Sequence, residues 1–242
     1  MATEVTSRPG TIRLSREISP VAPLENGDRL TRGEFMQRYE AMPEWQKAEL
    51  IEGTVFMAAA VRAAHHGRPH AWLGNVISTY AMQTGVDVAD NCTVELDDDN
   101  VPQPDLLMFL PAALGGRAKI NADGYLEGPP DLVAEVAASS VSIDLHVKLD
   151  VYQRHQVREY IVWRVLDSAL DWFALKDGKF VPKLADASGV IRSDAFPGMW
   201  VNVPALLARD ATRLWQTLDR GFESPEYLSF AARVAQANSA SQ

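Results

Sequence analysis

The chain has 242 residues, 47% hydrophobic and 23% charged, enough to bury a sizeable core in one elaborated domain. Its formal net charge of -9 is the opposite of the basic footprint usual in a nucleic-acid binder, so any phosphate-binding patch has to be local. A single cysteine, Cys92, excludes an internal disulfide and a cysteine-built metal cluster; with no apolar leader and no window near the roughly 20 apolar residues of a membrane span, a soluble, unprocessed, cytoplasmic protein without membrane partners is expected.

Residues 1 to about 28 mix Pro, Ser, Gly and charge without periodicity and read as a tail. Thr31 followed three residues later by Glu34 is a capping box, and Phe35, Tyr39 and Met42 predict a short helix ending before Pro43. Gly53, between the apolar runs of AELIEGTVFMAAA (48–60), predicts strand, tight turn and strand. Trp72, Leu73, Val76, Ile77 and Tyr80 recur at helical spacing within 66–84, with Gly85 as the stop, and 86–96 reads as extended. The runs 104–109 and 131–137 read as central strands, 142–156 as a helix, and 159–165 as a strand. Asp177-Gly178 marks a hairpin, and 201–218 and 224–238 read as helices. The expected fold is α/β, a mixed sheet flanked by helices. It divides into a tail over 1–28, a domain over 29–203 and a helical extension over 204–242.

Carboxylates inside apolar strands are the anomaly, because a buried ionised Asp or Glu costs several kcal/mol unless a cation or hydrogen bonds compensate. On an extended 131–137, Glu135 shares a face with Val133 and Ala137, so it projects from an apolar surface. Asp105 opens its own apolar run. If the two strands are neighbours, both carboxylates reach one end of the sheet and offer hard oxygen ligands to Mg²⁺ or Mn²⁺. The competing reading gives Glu135 an arginine partner and Asp105 a turn.

The ordered set Ala48-Glu49-Leu50-Ile51-Glu52-Gly53, His66, Pro104-Asp105, Pro129-Pro130-Asp131-Leu132-Val133-Ala134-Glu135-Val136, Asp144, Lys148, Tyr152, Val157, Glu159-Tyr160 and Trp163 resembles the Uma2 (DUF820) family of restriction-endonuclease-like proteins. That family is a branch of the PD-(D/E)xK superfamily, and the likeness spans about residues 30 to 183. It implies a restriction-endonuclease-like core, a metal-dependent endonuclease activity on DNA, and Asp105 and Glu135 as metal carboxylates with Glu49 as a third acidic contributor. It also implies a lysine that orients the attacking water or stabilises the transition state. The usual place for that lysine, two residues after the Glu, is Ala137 here. Lys148 is the candidate replacement, because a helix from Ser142 puts Asp144, Lys148 and Tyr152 on one face; a plain Asp144–Lys148 ion pair is the competing reading.

His66, Arg117 and Lys119 are candidate phosphate contacts, with a capping histidine and an ordinary connecting loop as the alternatives. His65, His66 and His70 lack an HExxH-type pattern, and Asp97-Asp98-Asp99-Asn100 fails as a calcium loop because its sixth and twelfth positions are Pro102 and Met108. Trp163, Trp172, Phe173 and Phe180 are assigned to the core or an interface. By analogy with the fold, a homodimer joined through the apolar segment after Val203 is expected. The alternatives to a nuclease are an inactive interaction module on the same fold and a metal-dependent hydrolase of a smaller phosphoester.

Overall fold

The computed structural model describes residues 21–43, 45–58 and 62–240. Helix α1 (Arg32–Glu40) starts at the Thr31–Glu34 capping box, both halves of which are formed. Strands β1 (Ala48–Ile51) and β2 (Thr54–Met57) follow, joined by Glu52 and Gly53 with φ of 51° and 67°, the left-handed pair a two-residue hairpin turn requires. A π-helical turn (Ala63–Gly67) leads into α2 (Arg68–Thr84), which Gly85 closes at φ 81°. Then come β3 (Asp87–Asp90), β4 (Val94–Glu95), β5 (Leu106–Phe109), β6 (Lys119–Ile120), β7 (Leu126–Glu127) and β8 (Leu132–Ala137). A second π-helical turn (Ile143–Val147) opens α3 (Lys148–Arg154). The chain continues through β9 (Glu159–Arg164), β10 (Ala169–Lys176), β11 (Lys179–Pro182), β12 (Val190–Arg192) and β13 (Trp200–Asn202). It ends in α4 (Val203–Ala208), α5 (Ala211–Phe222) and α6 (Pro225–Ala240).

The main sheet has six strands in the order β11-β10-β9-β8-β5-β3. Strands β8 and β9 are parallel, and α3 forms the crossover between them; every other pair in this sheet is antiparallel. One face, carrying Leu106, Met108, Leu132, Ala134, Val136 and Ile161, packs against α2 and the C-terminal helices. The other carries Val133, Ala137, Tyr160 and Val162 and packs against Tyr152 of α3 and Val157. Burying a Leu or Val side chain in this way stabilises the fold by about 1.5–3 kcal/mol relative to exposure. Among the described residues no helix is long and apolar enough to cross a membrane.

Three expectations change. The tail reading of residues 21–28 gives way to packing: Leu24 is buried with Phe35, Leu50 and Val101, and Gly27 N donates to Val55 O at 2.8 Å. Residues 1–20 lie outside the described residues. The helix expected over 201–218 starts later and is two, because Val201 and Asn202 belong to β13, Arg209 adopts a left-handed φ of 58° and Asp210 caps α5 by accepting from Arg213 N. Nor are the C-terminal helices an appendage. Leu206, Leu214, Leu218, Phe230 and Val234 complete the core on α2, so the apolar face expected to join two copies is buried within the chain.

Candidate active site

Strand pairing brings the two expected carboxylates together. Leu106 stands opposite Ala134, so in this antiparallel register Asp105 stands opposite Glu135 at one end of the sheet. Asp105 Oδ2 accepts from Val136 N at 2.7 Å, and Glu135 Oε2 lies 3.4 Å from Asp105 N. Glu135 emerges between Val133 and Ala137, as the alternation of the strand requires.

Helix α3 supplies the cation. Lys148 Nζ lies 2.7 Å from Glu49 Oε1, 2.9 Å from Glu135 Oε1 and 3.8 Å from Asp144 Oδ1. Tyr152, one turn further, donates its hydroxyl to Glu135 Oε1 at 3.3 Å. Ala137, where the superfamily lysine would stand, is buried among Tyr152, Val157 and Tyr160. The Asp144–Lys148 spacing seen in the sequence therefore belongs to the site, and Lys148 is closer to Glu49 and Glu135 than to its helical neighbour. Sequence reasoning left Asp144 outside the site; it is buried here, and its signal was that spacing. Glu49 reaches the group from β1, where its Oε1 also accepts from Gln103 N at 2.7 Å.

His66 closes the other side. Its Nε2 is 3.1 Å from Asp105 Oδ1 and its Nδ1 is 3.1 Å from Val136 O. Val136 O can only accept, so Nδ1 carries the proton shared with it, and Nε2 faces the Asp105 carboxylate. The Asp105 bond, above all, raises the His66 pKa from its ordinary value. Burial is the largest influence on Asp105 and would raise it, but the His66 bond and charge, the Val136 N–H and His70 together outweigh it and hold that carboxyl below its usual range. His70 stacks on His66 and lies 3.1 Å from Asp105 O, whereas His65 is exposed, so the three histidines share no ligand position. Both π-helical turns in the described chain start the helices that reach this site, and such turns recur at functional positions.

The electrostatics show an excess of acid. Four carboxylates, Glu49, Asp105, Glu135 and Asp144, face one ammonium and one imidazole. Burial pushes Glu135 well above the usual carboxylate range, with Lys148 opposing and Asp144, Asp105 and Glu49 adding to it. Asp144 rises for the same first reason. Burial is the largest influence on Lys148 and pulls it down, but Glu135, Glu49, Tyr152 and Asp144 together outweigh it and keep the ammonium charged. Hard oxygen donors with uncompensated charge fit a divalent cation. Among the described residues no three acidic, His or Cys groups already converge as a cage.

Arg117 and Lys119 are not part of this group. Arg117 donates to Gln156 O, and Lys119 pairs with Glu127 at 3.3 Å on the surface. Both follow the far end of β5, where Leu110 N donates to Asp131 at 2.8 Å. Asp131 is wholly buried there, with Arg158 Nε 2.9 Å from Oδ1 at an angle too poor for a hydrogen bond. Trp163 and Trp172 are buried in the core beside α2, and Phe173 and Phe180 pack on the opposite face against the cluster of Tyr152 and Tyr160.

The Uma2 family model, described as "Putative restriction endonuclease", matches residues 34–204. Among solved structures, this chain is similar to "a putative nuclease belonging to DUF820 from Anabaena variabilis ATCC 29413". The TM-score is 0.56 at 12% identity, covering 72% of this chain and 97% of that one, a likeness of fold. No curated protein matches the sequence.

Proposed function

This chain belongs to the Uma2 family, and we propose that it is a divalent-metal-dependent endonuclease that hydrolyses phosphodiester bonds of DNA at the Asp105–Glu135–Lys148 group. The observation that carries the reading is Lys148 Nζ at 2.9 Å from Glu135, beside Asp105 on the adjacent strand. That restores the charge pattern of two carboxylates and a lysine from a different element.

Asp105 and Glu135 would hold Mg²⁺ or Mn²⁺, which when bound supplies polarisation of a phosphoryl oxygen and a water of lowered pKa. The protein's own groups do the rest. Lys148, kept protonated by Glu135 and Glu49, presents an N–H to the attacking water or to the charge developing on phosphate. Tyr152 fixes the Glu135 carboxylate, and His66 fixes Asp105, so both oxygen donors are held in place before substrate arrives. Glu49 keeps Lys148 directed at the strand ends.

Nicking of supercoiled plasmid in Mg²⁺ or Mn²⁺ tests this. The wild type is expected to produce open circles, and Asp105→Asn and Glu135→Gln none. Equal nicking by wild type and both variants would overturn the assignment.

A further inference from the structure

The site groups grade in exposure, and the gradient locates the mouth. Side-chain exposure is 4% at Lys148 and 6% at Glu135, rising to 13% at Asp105, 21% at Glu49 and 27% at His66. Anything that reaches the carboxylates therefore comes from the side of Glu49 and His66. Two stretches of chain border that side. One leads into β1, where Lys47 O accepts from Ala58 N at 3.0 Å and Trp45 is 77% exposed. The other is the π-helical turn and first turn of α2, with Arg62, His65 and Arg68 exposed around His66. Arg62 sits one helical turn before His66, and its carbonyl accepts from His66 N at 2.9 Å.

Among the described residues, unpaired cations lie on the same stretches, as they do at Lys176 and Lys179 on the far end of the sheet. Arg154 and Arg164 are paired with Glu52 and with Asp167 and Asp171. Lys47, Arg62 and Arg68 pair with no carboxylate among the described residues. In a chain of net charge -9, a polyanion approaching four carboxylates is repelled unless cations meet it first. These three stand where it must approach. Trp45, two residues before Lys47 in the stretch that leads into β1, is an exposed indole of the kind on which an unpaired base stacks while cations track the backbone.

Resting on the nuclease reading, we infer that the rim formed by Trp45, Lys47, Arg62 and Arg68 is the polynucleotide-binding surface, with Trp45 stacking on an unpaired base and the cations on flanking phosphates. This distinguishes a polynucleotide from a small phosphoester, which needs no rim.

The test is anisotropy of a labelled single-stranded oligodeoxynucleotide in EDTA, where binding is read apart from cleavage. The controls sit at the other end of the sheet: Lys176 and Lys179, equally exposed and flanking the β10–β11 turn. Arg62→Ala/Arg68→Ala is expected to weaken binding about tenfold or more and to flatten the salt dependence by about two phosphate contacts. Lys176→Ala/Lys179→Ala should stay at the wild-type affinity, and Mn²⁺ binding should be unchanged in both pairs. Trp45→Ala should weaken binding to the oligonucleotide but not to an abasic strand, an outcome that loss of structure would not give. Wild-type affinity in Arg62→Ala/Arg68→Ala, or an equal loss in the lysine control, would overturn the inference. A wild type that nicks plasmid yet binds no strand in EDTA overturns the rim and leaves the nuclease reading intact; rim-dependent binding without nicking does the reverse.

Discussion

Strand β8 ends in buried acid at both ends, and the two ends do different things. At the start, Asp131 has Arg158 at 2.9 Å and the Leu110 amide at 2.8 Å. Beside it, Glu159 accepts from Ser193 Oγ at 2.5 Å and Asp194 N at 2.7 Å, with Lys183 at 4.0 Å. Each of these carboxylates has its own donors. At the other end, four carboxylates share Lys148 and His66. Burial alone does not separate the two, and neither does pKa: burial raises Asp131 and Glu159 as it raises Glu135. What separates them is stoichiometry, since matched acids tie elements together and a surplus asks for a cation from outside.

The comparison breaks most visibly in catalysis. Asp105→Asn or Glu135→Gln should lower plasmid nicking by roughly a thousandfold while Asp131→Asn leaves it unchanged per folded molecule. Next in size is Lys148→Met, expected to lower nicking about a hundredfold and to keep Mn²⁺ bound, measured on the same plasmid beside a metal titration. A variant that loses metal together with activity would make Lys148 a structural clamp.

The structural end answers in stability. Glu159 is pushed up from its ordinary 4.5 to about 7. The native state therefore keeps a proton that the unfolded chain has lost, so the Glu159 contribution is complete below about 4.5 and disappears as pH rises to about 7. Thermal unfolding across that window should show a fall of about 3 kcal/mol from this group, and Glu159→Gln should flatten it. Smaller still is Asp131→Asn, which leaves Arg158 facing an amide; chemical denaturation should find a loss of about 2 kcal/mol. A null result there would mean that the Asp131 end is not the architectural one.

Much of this was legible because it is local. The Thr31–Glu34 box, the left-handed pairs at Glu52-Gly53 and Asp177-Gly178, the Gly85 stop and the apolar strand runs all announce themselves within a few residues. Glu135 and Asp105 were visible as acids out of place. Lys148 was visible because the position of Ala137 was empty of charge. The rest depends on partners distant in sequence. Strands β4, β6 and β7 are two residues each and carry no period. The break at Arg209 uses no glycine. His66 meets Val136, 70 residues away, and nothing local to either shows it. Asp144 looked like half of a helical ion pair because the sequence gives its neighbour in the helix and not the strand end it faces.

The most direct test is calorimetric titration of Mn²⁺ into the wild type, Glu135→Gln and Asp131→Asn. Binding in the wild type and in Asp131→Asn, and none in Glu135→Gln, is the predicted result. No binding in the wild type, or binding that survives Glu135→Gln, would contradict the claim that the acid surplus at this end of β8 is a metal site.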